Sequence, residues 1–297
     1  MSSNAAIMPQ AAPAPAKPRR IWLCADDYGI SPGVNTAIRE LVLQGRINAT
    51  SVMVVTPTFT RSEALSLSIL NAGTQRVAIG LHVTLTAPFK PLSDSYAPLQ
   101  NGAFLPLTAT LRTAMLRMLK PDKIAVEVAA QIKAFEAAFG RSPDFIDGHQ
   151  HVHLFPQIRD AVLTVAKEHA PNAWIRQCGR LPSVARPGDR KGWLLDQLSR
   201  TFRKRASKLG LKVNPAFAGT YDFASKPNFS ALFPTFLESL PDGSVVMCHP
   251  GHVDAELQRL DPLTTLREAE YEYFAGQAFP DILAANDITL GVNSDLA

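Results

Sequence analysis

"IWLCADDYGISPGVNTAIRELVLQG", Ile21 to Gly45, is the stretch on which the fold turns. A short apolar run, "IWLCA", leads into the polar "DDYGISPG" and then into a helix-length amphipathic stretch ended by Gly45. Strand, loop and helix in that order build an α/β protein with a largely parallel sheet. The loop decides between two ways of closing such a sheet. An open nucleotide-binding sheet would carry G-x-G-x-x-G here, its glycines admitting a pyrophosphate. "ADDYGISPG" offers two carboxylates instead. The expected fold is therefore α/β, a distorted (β/α) barrel in a single domain.

The same alternation continues along the chain. Strands are expected at "ATSVMVV" (Ala49 to Val55), "RVAIGL" (Arg76 to Leu81), "DFID" (Asp144 to Asp147), "AWIRQC", "SVVMCH" and "DITLGV". A helix begins near Arg61. Another covers "DKIAVEVAAQIKAFEAAFG", where Ile124, Val128, Ile132, Phe135 and Phe139 recur with a period near 3.6. A third covers "PQIRDAVLTVAKEH", with Pro156 in its first turn, where a missing N–H costs nothing. Residues 85–120 and 179–214 read as long insertions between core elements. Residues 1–19 are Ala/Pro-rich and read as a disordered tail ahead of a domain spanning 20–297.

Composition excludes several classes. With 46% hydrophobic residues in 297, the chain can bury a core and is neither fibrous nor disordered. A formal charge of +4 is mild, and much of it comes from "RTFRKRASKLGLK", Arg200 to Lys212. The bland reading of that run is a solvated helix face, and the sharper one is contact with an anionic lipid or other anionic partner. Nothing else points to nucleic acid. Cys24, Cys178 and Cys248 form no CxxC pair and read as free thiols in a reducing compartment. No run of 18 apolar residues follows the N-terminus, whose basic residues come after its weakly apolar part. A cytoplasmic protein without a transmembrane segment is expected.

Four apolar strands end in Asp or His. Asp26 and Asp27 follow "IWLCA", His82 follows "VAIGL", Asp147 and His149 follow "DFI", and His249 and His252 follow "VVMC". C-terminal strand ends of a barrel converge on one face, where catalytic groups collect. Six of the seven histidines belong to this set, three of them in "DGHQHVHLFP". One Asp and two His from different strands hold Zn²⁺ or a similar divalent ion and leave positions open for water and substrate. His149, His151 and His153 would share a face if extended. A turn at Gly148 would instead leave one ligand and one or two histidines lining the cleft. Adjacent Asp26 and Asp27 point to opposite sides of an extended chain, so one binds metal and the other takes a proton from metal-bound water. His249, with an ordinary value near about 6.5, suits a general acid.

"CADDYGISPGVNTAI", "IGLHVTLT", "DGHQHVHLFP" and "CHPGHVD", in this order, resemble the YdjC/ChbG-like carbohydrate deacetylases, some of them associated with hopanoid biosynthesis. The resemblance covers residues 20 to 297. It implies a fold related to polysaccharide deacetylases, one divalent metal (Zn²⁺ or Mg²⁺), and removal of an N-acetyl group from an amino sugar. By the same resemblance Asp27, His82 and His149 are the metal ligands, Asp26 is the general base and His249 the acid. His151 and His153 then lie in the substrate cleft. Tyr28 stands where the family often has Phe, and Tyr28, Tyr221 and Asp222 are further candidates for substrate contact. The substrate is a chitooligosaccharide such as diacetylchitobiose or a lipid-linked amino sugar. The alternatives are another metal amidohydrolase, a phosphoesterase, or a sugar-binding protein without catalysis. A homodimer is in keeping with many enzymes of this type.

Overall fold

The computed structural model describes residues 17–74, 77–181, 189–223 and 227–291. Most of the expected 1–19 tail lies outside them. The first strand, β1 (Arg19–Tyr28), is buried from Ile21 onward and leads into α1 (Pro32–Leu43). "GISPG" is the structural half of the opening motif. Ser31 caps α1 by accepting from Val34 N, Pro32 takes the first helical position, and Gly33 lets the helix meet another loop. A Cβ on Gly33 would lie 2.4 Å from the His252 carbonyl oxygen, so this glycine is what admits "HPGH".

There follow β2 (Ala49–Val52), α2 (Arg61–Ile69) and β3 (Ala78–Val83). A small hairpin, β4 (Leu99–Gln100) with β5 (Ala103–Phe104), and α3 (Leu107–Met115) occupy the first insertion. Then come α4 (Pro121–Phe139), β6 (Phe145–Gly148), α5 (Ile158–His169) and β7 (Trp174–Ile175). The second insertion is filled by α6 (Arg190–Lys208). The chain closes with β8 (Phe217–Ala218), α7 (Phe229–Phe236), β9 (Ser244–Cys248), α8 (Ala255–Leu260), α9 (Thr265–Ala275), α10 (Ala278–Ala285) and β10 (Ile288–Leu290).

Eight strands form one parallel sheet in the order β7-β6-β3-β2-β1-β9-β8, with β10 paired to the first residues of β1. The sheet curls into a half-barrel. Its open side is spanned by the segment from Val213, which bridges to Ile175, to Phe217, which pairs with Val245 of β9. Between them Asn214 stands in for a ladder: it accepts from Gln177 N and donates to the Gln177 and Ala216 carbonyls. That substitution is the distortion in the expected barrel. Both faces of β1 and β9 are apolar because helices cover the sheet outside and side chains fill it inside.

One local expectation changes. Pro156 lies ahead of α5 rather than in its first turn. Gln157 intervenes at φ 67, held there because its side-chain amide exchanges hydrogen bonds with the Leu119 backbone. The basic run lies largely on α6, with Phe202 and Ala206 buried and Lys204, Arg205 and Lys208 exposed. Among the described residues, no helix is long and apolar enough to cross a membrane.

Candidate active site

Residues at or just past the ends of β1, β6 and β9 (Asp26, Asp27, His149, Met247 and His249) line one cavity of about 500 Å³. Asp26 and Asp27 both line it, although adjacent residues in a strand should diverge. A bulge explains this. Pairing of β1 with β2 slips between Ala25 and Tyr28, and Asp27 adopts φ 70, which turns both carboxylates the same way. The next residue, Tyr28, is thereby sent into the core, where its hydroxyl meets Glu63 and Arg39. Tyr28 does not line the cavity, contrary to a role in substrate contact.

Asp27, His82 and His149 come together. Asp27 Oδ1 lies 2.9 Å from His149 Nδ1 and 3.2 Å from His82 Nε2. The other nitrogen of His82, Nδ1, donates to Asp147 Oδ1 at 2.6 Å, leaving Nε2 to face Asp27. A carboxylate behind an imidazole in this way fixes the ring of a metal-binding histidine. The other oxygen of Asp27 accepts from Arg267 Nη2 at 2.6 Å. Cys24, Asp26 and Asp147 form a second cluster within ligand reach, but Arg176 already faces both of its carboxylates.

Charge favours a cation at the first cluster. Three buried carboxylates, Asp26, Asp27 and Asp147, face two guanidinium groups, Arg176 and Arg267. Burial opposes charge on His82, yet Asp147 and Asp26 outweigh it and push the imidazole up to about 10. The cluster thus draws in a proton to balance itself. An oxygen and two imidazole nitrogens converging beside surplus negative charge fit Zn²⁺ or a similar divalent ion.

Asp26 is held differently. Arg176 donates to both of its oxygens at 2.7 Å, and Ser51 adds a third bond at 3.2 Å. Burial resists its ionisation, but Arg176 overrides that and keeps the carboxyl well below its usual range. Asp26 is therefore a fixed carboxylate beside, not within, the cation-binding cluster. His249 lines the same cavity, its ring edge-on to Phe223. Burial pushes it down to about 4, so the ordinary value expected for a general acid does not hold in the resting cavity.

The three clustered histidines separate. Gln150 and His151 adopt left-handed φ values of 54 and 59, so the i, i+2 alternation of an extended strand is lost. His149 stays at Asp27 and His151 lines the cavity. His153 is fully buried and donates from Nε2 to the Arg176 carbonyl, which removes it from the cleft. Tyr221 and Asp222 line an adjoining cavity of about 660 Å³ that shares Lys191 and Thr220 with the first. The Tyr221 hydroxyl donates to Glu270, whose other oxygen accepts from His249 N at 2.5 Å.

Arg176, Arg267 and Glu270 are the site residues that sequence reasoning leaves out. Arg267 and Glu270 are one helical turn apart on α9, a spacing that puts both on one face. Their only sequence signal is that "TLREAEYEYF" alternates charged and aromatic residues close after "CHPGHVD".

Comparison with known proteins bears on the family and the fold. A chitooligosaccharide deacetylase of Escherichia fergusonii is 28% identical over 86% of this chain and 93% of its own. A carbohydrate deacetylase of Clostridium beijerinckii is 26% identical over 91% of this chain and 100% of its own. A crystal structure from Enterococcus faecalis V583, of a protein to which cellobiose-phosphate cleavage has been ascribed, shares the fold. It superposes with a TM-score of 0.75 at 21% identity, covering 95% of this chain and 100% of that one. The family model described as YdjC-like protein matches residues 20–285, and this chain belongs to the YdjC-like family.

Proposed function

We propose that the protein is a metal-dependent carbohydrate N-deacetylase, which hydrolyses the acetamide of an N-acetylated amino sugar to acetate and a free amine. One observation carries this reading. A candidate cation-binding trio (Asp27, His82, His149) opens, through Asp27 and His149, onto a cavity that a separate carboxylate (Asp26) and a separate histidine (His249) also line. A sugar-binding protein without catalysis has no need of that division. Phosphate-ester chemistry is disfavoured because the two guanidinium groups at the site are already committed to Asp26 and Asp27. The names of the curated relatives support the same substrate class.

A divalent ion held by Asp27, His82 and His149 supplies a Lewis acid and lowers the pKa of water towards neutrality. Asp26, aimed by Arg176, accepts the proton of the attacking water. His249 takes up a proton from solvent as negative charge develops on the acyl group and gives it to the departing nitrogen, while Asp26 returns the proton of the attacking water to solvent. Phe223, Met247 and Leu107 form an apolar wall that limits competing water. The adjoining cavity, walled by Phe217, Leu232 and Phe236, leaves room for the rest of a longer or lipid-linked substrate.

Acetate release from N,N′-diacetylchitobiose tests the proposal, with protein as isolated, after chelation, and after adding back Zn²⁺ or Mg²⁺. Release that chelation stops and one ion restores is the expected result. Metal-loaded protein inert towards free and lipid-linked N-acetyl amino sugars alike would overturn it.

A further inference from the structure

We infer that the outer face of α6, together with the apolar segment Met115–Met118 at the end of α3, is a docking surface for an anionic lipid bilayer. Trp193, Arg200, Lys204 and Lys208 follow one another on α6 at spacings of seven, four and four, which aligns them on one stripe. The stripe lies opposite the buried Leu195, Leu198, Phe202 and Ala206. Trp193 is 62% exposed, and among the described residues Arg200, Lys204 and Lys208 make no ion pair.

A second feature lies at the end of α3 and the turn that follows it, separated from α6 by α5. Met115, Leu116 and Met118 are 52%, 62% and 68% exposed in four consecutive residues, and the fourth, Arg117, is exposed too. Three bare apolar tips in one short loop need a function to explain them. Contacts link this loop to α6. The Leu119 backbone bonds the Gln157 side chain, α5 starts at the next residue, and Asp160 of α5 pairs with Arg205 of α6 at 2.7 Å. Arg112, Arg117 and Lys120 surround the apolar tips with positive charge.

The chemistry selects a bilayer over a protein partner. Lysine is depleted at protein interfaces, which need about 800 Å² a side around a packed centre. A Trp, flexible apolar tips and unpaired Lys and Arg instead suit the headgroup region of an anionic membrane, where the cations meet phosphates and the tips enter the acyl boundary. Helix α3 runs from this loop back to Leu107 at the catalytic cavity, so a docked molecule would hold its cavity close to the bilayer.

Co-sedimentation of the full chain with phosphatidylcholine vesicles, with and without phosphatidylglycerol, tests this. Binding is expected only to the anionic vesicles and should weaken as salt rises. Lys204→Gln and Lys208→Gln should each lower the partition about fivefold. Triple replacement of Met115, Leu116 and Met118 by Ser should lower it at least about tenfold, with hydrolysis of a water-soluble substrate unchanged. Trp22 and Trp174 are 2% and 6% exposed, so a blue shift on binding reports Trp193. The inference falls if anionic vesicles are not bound at low salt, if the variants bind like wild type, or if Trp193 emission stays put. It also falls if sedimentation velocity finds the triple variant monomeric where the wild type is a dimer, since the loop would then join two copies.

Discussion

Two parts of the molecule meet at the catalytic cavity and bring opposite charges to it. The ends of β1, β3 and β6 carry Asp26, Asp27, His82, Asp147 and, one residue past β6, His149; the ladder pairs His82 with Asp147, while Asp26 and Asp27 sit at the bulge in β1. The guanidinium groups come from elsewhere. Arg176 follows β7 and reaches Asp26 across 150 residues, and Arg267 on α9 reaches Asp27 across 240. The sheet thus fixes where the reacting groups stand, while distant elements fix their charge and aim. Changes at a strand tip should remove chemistry, and changes at a brace should loosen it.

The sharpest separation is expected from Asp27→Asn. It keeps a hydrogen-bond acceptor for Arg267 but loses the anionic ligand, so metal content should vanish and deacetylation fall by at least about 10³-fold. Elemental analysis beside acetate release checks it, and a variant that keeps its metal would break the distinction. Next comes Arg267→Met on the bracing side. Leaving Asp27 and Asp261 without their buried partner should cost about 3–5 kcal/mol in chemical denaturation. Metal affinity should drop about 10- to 100-fold rather than disappear.

These two sides differ in how far the sequence reveals them. Asp26, Asp27, His82 and His149 each stand within three residues after an apolar run, and parallel strands must bring such ends together, so the constellation is legible without a structure. The bracing side is not. Arg176 falls within a run that reads as a strand, where periodicity cannot say that its head is buried against Asp26. Arg267 and Glu270 read as the charged face of an ordinary helix. Local backbone also defeats simple alternation. The bulge at Asp27 turns two adjacent carboxylates together, and the left-handed pair Gln150 and His151 sends His153 into the core. Both rest on tertiary pairing, to which a period of two is blind.

Smaller effects sharpen the contrast. Burial raises the Glu270 carboxyl from 4.5 to about 7, despite the bonds from Tyr221 and His249. Between those values the unfolded chain ionises and the folded one does not. Stability from this group is therefore intact below about pH 4.3 and lost as pH rises through 7. Wild type should lose stability relative to Glu270→Gln over that window; parallel denaturation curves across it would contradict the assignment. Smallest is Tyr28→Phe. Its hydroxyl faces Glu63 and Arg39, so about 1 kcal/mol of stability should go and KM should stay as it is.

Asp26→Asn tests the central division of labour most directly, with bound metal and turnover measured on the same preparation. The expected result is full metal occupancy with deacetylation down by about 10²- to 10⁴-fold, as for loss of a general base. Metal lost together with activity would make Asp26 a ligand, and unchanged turnover would remove it from the chemistry altogether.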